Sequence, residues 1–295
     1  MPQSPIVFDR ALLRERMRRA FARGPETFLV DRIAADLAER LGAVLRQFEV
    51  AVDLGTPTEA VRDALADNAA IGMLAGASAL PRRAPALVAD EEALPLRDGA
   101  LDLVVSALAL QFVNDLPGAL VQIRRALKPD GLFLAALLGG DTLGELRQSF
   151  AAAESEVEGG VSPRVAPFAD VREMGALLQR AGFALPVTDV ERLTVRYSSP
   201  FILMGELRRM GATNAMAERR RTPLRRATLQ RMAQIYAQRF ADPDGKIRAT
   251  FEVIWLSGWA PHESQQKPLR PGSAQVRLAD ALGTREIGTG EKAGE

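Results

Sequence analysis

LDLVVSALALQFVNDLPGALVQIRRALKPDGLFLAALL, Leu101 to Leu138, is the stretch on which the fold turns. It opens on LDLVVSAL, an apolar run too continuous for a strand with one wet face, which predicts a strand buried on both sides. Leu116 to Leu127 predicts a helix, and GLFLAALL from Gly131 predicts a second buried strand. Lys128, Pro129, Asp130 and Gly131 predict a turn between them, because proline presets its φ and glycine permits a positive one. Strand, helix and strand in such close succession make a parallel pair with a right-handed crossover.

The alternation continues outward. FEVAVDLG, Phe48 to Gly55, reads as a strand ending in an acid and a turn, followed by a short helix around Ala60 to Ala66 and apolar runs at Ala70 to Ala75 and Leu87 to Asp90. Two helices precede it, the first from about Phe8 to Arg23 and rich in arginine. Toward the C-terminus a long helix pattern runs from Gly140 to about Val157, then a glycine- and proline-broken segment from Gly159 to Pro167, then a helix from Asp170 to Ala181. Strand-like runs at Leu193 to Tyr197 and Phe251 to Trp255 close the sheet, with two helices inserted from about Ser199 to Phe240. The expected plan is α/β, a mostly parallel seven-stranded sheet flanked by helices, with a helical insertion before the last strand. Along the chain this gives N-terminal helices at 1–45, a core at 46–198, insertion and last strand at 199–258, and a tail at 259–295 whose last dozen residues read as disordered.

Composition removes whole classes of function. Lys plus Arg number 38 against 37 Asp plus Glu, so no global charge draws the chain to nucleic acid. The absence of cysteine excludes disulfides, thiolate nucleophiles and cysteine-ligated metal centres, and the sole histidine, His262, leaves no Ser-His triad elsewhere. No metal site is expected, and His262 reads as a structural tail residue. No run approaches the roughly 20 apolar residues of a membrane-spanning helix. Cytosol is the expected compartment, or the mitochondrial matrix if the source is eukaryotic.

A strand ending in an acid and Leu-Gly is the entry to a nucleoside-cofactor site. Together with ALVADEEALPL at Ala86 to Leu96 and the strand from Leu101, VAVDLG resembles the class I S-adenosylmethionine-dependent methyltransferases and their Rossmann-like fold. The resemblance implies that Asp90, with Glu91 beside it, is the adenine-side acid, that Asp53, Gly55 and Thr56 form the cofactor loop, and that Ser106 lies on the strand flooring the site. FDRALLRERMRRAF, FVNDLPGAL, GGDTLGELR, EGGVSPRVAPFADV, LLQRAGF and HESQQKPLRPGSA extend the likeness over roughly residues 7 to 282. This set is similar to the methyltransferase-fold arginine hydroxylase that assists assembly of respiratory complex I, and its bacterial relatives. It implies S-adenosylmethionine as cofactor and a protein partner, a core subunit of NADH dehydrogenase, as substrate. The methyltransferase of biotin precursor synthesis shares the sheet motifs but not the HESQ tail.

Departures from the family pattern concentrate in the cofactor loop. Where relatives read Asp-Leu-Gly-Cys-Gly-x-Gly, this chain has Asp53, Leu54, Gly55, Thr56, Pro57, Thr58 and Glu59. Pro57 offers no N–H, and Glu59 is expected to bring bulk and negative charge toward the cofactor's carboxylate. The ribose-binding acid is expected at Leu74 or Ala75, neither of which can accept a hydrogen bond through its side chain. Cofactor binding is therefore expected to be weak or lost, which opens the alternative of a non-enzymatic assembly factor. Candidates for catalysis are Gln111, where relatives tend to have histidine, Asp141 after two glycines, and Tyr197. Asn114, Asp115 and Asp141 also read as helix caps. The run Arg208, Arg209, Arg219, Arg220, Arg221, Arg225 and Arg226 reads as a solvated face, with docking to an acidic partner or a membrane surface as the rival.

Overall fold

Strand β4 (Leu101–Ala107) is buried along nearly its whole length, and its alternate side chains serve two cores. Leu103, Val105 and Ala107 enter one apolar cluster and Val104 the other. Such two-faced burial is what makes a central parallel strand read as a continuous apolar run. The computed structural model describes residues 6–266, 273, 276 and 278–285, with those up to Pro261 in one compact unit and those from His262 in another.

In the first unit, α1 (Arg10–Phe21) and α2 (Phe28–Gly42) precede β1 (Phe48–Leu54), α3 (Ala60–Ala64), β2 (Ile71–Ser78) and β3 (Ala86–Val88). After β4 come α4 (Leu116–Ala126), β5 (Leu127–Leu138), α5 (Gly144–Glu158), α6 (Val171–Arg180) and β6 (Ala184–Tyr197). The insertion is α7 (Pro200–Arg209) and α8 (Arg226–Phe240), and β7 (Ile247–Trp259) ends the sheet. Strand order is β3-β2-β1-β4-β5-β7-β6, the first five parallel and β7 antiparallel to both neighbours. Ile33 and Leu37 of α2, Phe150 of α5 and Tyr236 of α8 cover one face; Leu120 and Ile123 of α4 and Leu178 of α6 cover the other. Order reverses between β1 and β4, so the crevice lies at their carboxyl ends.

Two local expectations need correcting. Lys128 to Gly131 belong to β5, where the register with β4 shifts between Leu101 and Leu103. Asp130 takes the positive φ, 63°, instead of Gly131. Gly131 is needed for close approach: a Cβ there would lie 2.9 Å from the Lys128 carbonyl and 3.2 Å from those of Leu101 and Asp102. In the second unit, His262 closes a turn on itself, its Nδ1 2.7 Å from Ser264 Oγ and its N–H donating to Gln265 at 3.2 Å. The expectation for the last dozen residues falls mainly on positions outside the described ones. No helix among the described residues is long and apolar enough to cross a membrane.

The arginine run is not a uniform solvated face. Arg219 pairs with Asp9, the N-cap of α1, at 3.2 Å, Arg220 pairs with Glu158, and Arg209 pairs with Glu26. Arg208, Arg221 and Arg226 are exposed. Reversing Arg219 and Arg220 to glutamate sets like charges against Asp9 and Glu158, and lowers the melting temperature by several degrees. Arg208→Glu with Arg226→Glu leaves it within about one degree, as scanning calorimetry on the two variants would check.

Candidate functional site

Asp53 sits near the carboxyl end of β1, almost fully buried, and its carboxylate accepts from the Thr56 hydroxyl. Thr56 Oγ1 also accepts from the Ala107 N–H at 3.0 Å, and Ser106 Oγ donates to the Leu54 carbonyl at 2.7 Å. Both hydroxyls are therefore engaged in tying the cofactor loop to β4. Gly55 has a φ of 73°, its N–H donates to Ala77, and a Cβ would lie 2.8 Å from Glu91 Oε1. Only glycine fits that conformation and that approach.

Sequence reasoning missed what meets the acids after β3. Arg10 of α1 pairs with Asp90 at 2.9 Å, with Glu92 at 3.0 Å and with Glu91, and Arg14 one turn later pairs with Asp90. Burial pushes the Asp90 carboxyl up, but the Glu92 N–H and the two arginines outweigh it and hold the pKa below its ordinary value. The signal was present as two arginines at i and i+4 ahead of three consecutive acids, although nothing in the spacing joined them. Asn114, read as a cap, clasps the segment instead: its Oδ1 accepts from the N–H groups of Val7 and Phe8 at 2.9 and 2.7 Å. Asp115 is the cap of α4, accepting from Gly118 at 2.9 Å.

The other loop expectations shift as well. Glu59 does not present a free charge; it pairs with Arg62 at 2.9 Å and accepts from the Arg83 N–H at 3.0 Å. Leu74 lies opposite Ala51, in mid-strand, so an acid there would not reach the crevice. The polar residue at the carboxyl end of β2 is Ser78, beside Arg82, whose guanidinium donates to the Thr56 carbonyl at 2.7 Å. The space lined by Arg10, Arg14, Gly55, Ser78, Arg82 and Glu91 is small, about 30 Å³.

Beyond Met17 and Phe112, which border both spaces, lies a cavity of about 270 Å³. Leu108 and Leu138, at the ends of β4 and β5, floor it, and Phe8, Phe21, Leu146, Phe150, Phe168 and Met204 wall it. Gln111 lines it, 8% exposed, its Nε2 donating to the Leu108 carbonyl at 2.8 Å. The other two catalytic candidates are elsewhere. Asp141 has a side chain 61% exposed and paired with Arg192, and it does not cap α5, whose N-cap is Leu143. The Tyr197 hydroxyl is buried outside this cavity, its pKa pushed far up by burial and then by Glu206. Among the described residues no group of three or more His, Asp or Glu is placed to hold a metal ion.

Burial raises the Asp53 carboxyl to about 7, partly offset by the Thr56 hydrogen bond and the Arg82 charge. The folded chain thus keeps a proton that the unfolded chain loses from near pH 4 upward, so stability from this group is full at low pH and is lost as pH rises toward 7. Asp53→Asn carries no such dependence and keeps an acceptor for Thr56. The melting temperature of the variant minus that of the parent grows from pH 5 to pH 8; a difference that stays flat would contradict the burial cause.

Comparison with known proteins follows the same geometry. The family model described as a methyltransferase domain matches residues 52–135, the strands that bear Asp53 and Asp90. The chain is 37% identical over 290 residues to the arginine-hydroxylase NDUFAF5, mitochondrial, of Danio rerio, covering 94% of this chain and 90% of that one. It is 35% identical over 272 residues to a malonyl-[acyl-carrier protein] O-methyltransferase of Gallionella capsiferriformans, covering 83% and 90%. Among solved structures, the YcgJ protein of Bacillus subtilis matches with a TM-score of 0.52 over 77% of this chain and 98% of that one, at 15% identity, a likeness of fold.

Proposed function

From the premise that this chain belongs to the family of the arginine-hydroxylase NDUFAF5, a group of methyltransferase-fold proteins, we propose that it acts on a protein partner in the assembly of respiratory complex I. The carrying observation is the near chain-long match, which covers 94% of this chain and 90% of the relative. The partner is a core subunit of NADH dehydrogenase, and the compartment is the bacterial cytoplasm or the mitochondrial matrix. Exposed Arg208, Arg221 and Arg226 offer a surface to an acidic partner.

S-adenosylmethionine is the cofactor the family implies, and the residues present do not fit it as they stand. Asp90 and Glu91 are neutralised by Arg10 and Arg14, and Ser78 stands at the end of β2 without a charge. We infer weak binding that requires α1 to yield, and this supports assembly without catalysis as the second reading.

Immobilised chain captures the isolated core subunit, and mass spectrometry of the captured subunit then decides between readings. A gain of one methylene or one oxygen on an arginine identifies modification, capture without a mass change identifies the assembly role, and no capture refutes both. By calorimetry the parent binds S-adenosylmethionine with a Kd in the micromolar range or weaker, and a sub-micromolar value would overturn the inference of weak binding. Arg14→Ala, which frees an Asp90 oxygen, tightens binding about tenfold, the worth of one charge-assisted hydrogen bond.

A further inference from the structure

Within the stretch EGGVSPRVAPFADV, Ala166 lines the apolar cavity, whereas Val161, Pro163 and Pro167 line a second space, a groove of about 720 Å³. No residue of the cofactor loop or of the smaller space lines this groove. Its wall is firmly held. Glu154 of α5, nearly fully buried, accepts from the Ser162 N–H and hydroxyl at 2.8 Å each and from Arg164 Nε at 2.8 Å. Asn214 Nδ2 donates to the Pro163 carbonyl at 2.8 Å. With φ also fixed at Pro163 and Pro167, the wall is assembled before anything binds, which lowers the entropy lost on binding.

Arg147 of α5, half-buried, lines the groove with a charge that no acid takes up among the described residues. Its guanidinium donates to carbonyls, those of Gly140 and Thr142 at 3.2 Å and of Ala166 at 3.4 Å. The acids nearest to it in the chain are engaged elsewhere: Asp141 pairs with Arg192, and Glu145 accepts from Thr250. Carbonyls orient a guanidinium but leave its net charge uncompensated, and a carboxylate is the group that completes it. The remaining lining is mainly apolar, with Val7 and Met216, while Ile6 and Val161 stand 69% and 63% exposed. Exposed aliphatic side chains beside an unmatched charge suit a protein surface better than a small polar solute.

Resting on the reading that the chain acts on a protein partner, we propose that this groove docks a segment of that partner in which one carboxylate side chain is flanked by aliphatic residues, the carboxylate accepting from Arg147. The carbonyl oxygens already beside the guanidinium favour a singly charged carboxylate over a phosphate, whose greater charge and additional oxygens would press against them. Glu218, exposed on the same lining, disfavours a run of acids and so selects for a single one.

The full chain, immobilised, is titrated with the isolated core subunit. Arg147→Gln weakens capture about tenfold, the worth of one charge-assisted hydrogen bond. Val161→Asp weakens it and Val161→Lys does not, a dependence on sign that lost packing at Val161 cannot produce. Should Arg147→Gln melt below the assay temperature, the two Val161 variants carry the test alone. Benzoylphenylalanine placed at Val161 and irradiated joins the subunit at a peptide with Asp or Glu among aliphatic residues. Absence of capture by the parent overturns the reading of a protein partner, and the docking site with it. Capture by the parent that the folded variants leave unchanged, equal losses with Val161→Asp and Val161→Lys, or cross-linking to the chain's own N-terminal residues or to a second copy overturns the docking site alone.

Discussion

One guanidinium organises the carboxyl end of this sheet. Arg10 meets Asp90, Glu91 and Glu92 at once, and three consecutive acids after β3 would repel one another without it. The contact fixes α1 across the crevice, and α1 in turn supplies Met17 and Phe21 to the apolar cavity. Asn114 clasps Phe8 two residues ahead of Arg10 and so sets the helix in register. Because Arg10 is largely buried, removing one member of the group would leave the others charged and short of solvent. The cavity walls, the closed nucleoside end and the seat of Asp9 on Arg219 all depend on that contact.

The sheet was legible because its signals are one-dimensional. LDLVVSAL and GLFLAALL are buried on both faces and therefore read as strands from composition alone, and Asp53 at the end of β1 marked the crevice without any tertiary information. What was not legible depends on pairing between distant residues. Leu74 or Ala75 looked like the ribose position by spacing, yet the register sets them opposite Ala51 and Val52 and leaves Ser78 at the strand end. Glu59 looked like a charge aimed at the cofactor, yet Arg62 one turn along α3 takes it up. Asp141 and Tyr197 were candidates that spacing could not bring together with Gln111, and the fold sends one to the surface beside Arg192 and buries the other outside the cavity. Gln111 lies at the crevice because it follows closely on β4, whose end the topology puts there.

The residues at the carboxyl end of the sheet divide between two spaces. Pro57 removes an N–H donor and lines the larger cavity with a ring. Gln111 puts a neutral amide, which carries no charge, on the wall of the larger cavity. Arg10 and Arg14 withdraw the acids after β3 from the crevice by neutralising them in place. Pro57 and Gln111 line the larger space and Arg10 and Arg14 the smaller, while Met17 and Phe112 border both.

Met17 and Phe112 border both spaces, and Met17 lies on the same helix as Arg10 and Arg14. A nucleoside at Asp90 would have to part it from Arg10 and Arg14, and separating charges that are partly out of water is costly, so the ion pairs that seat α1 are also what stands against a ligand at the smaller space.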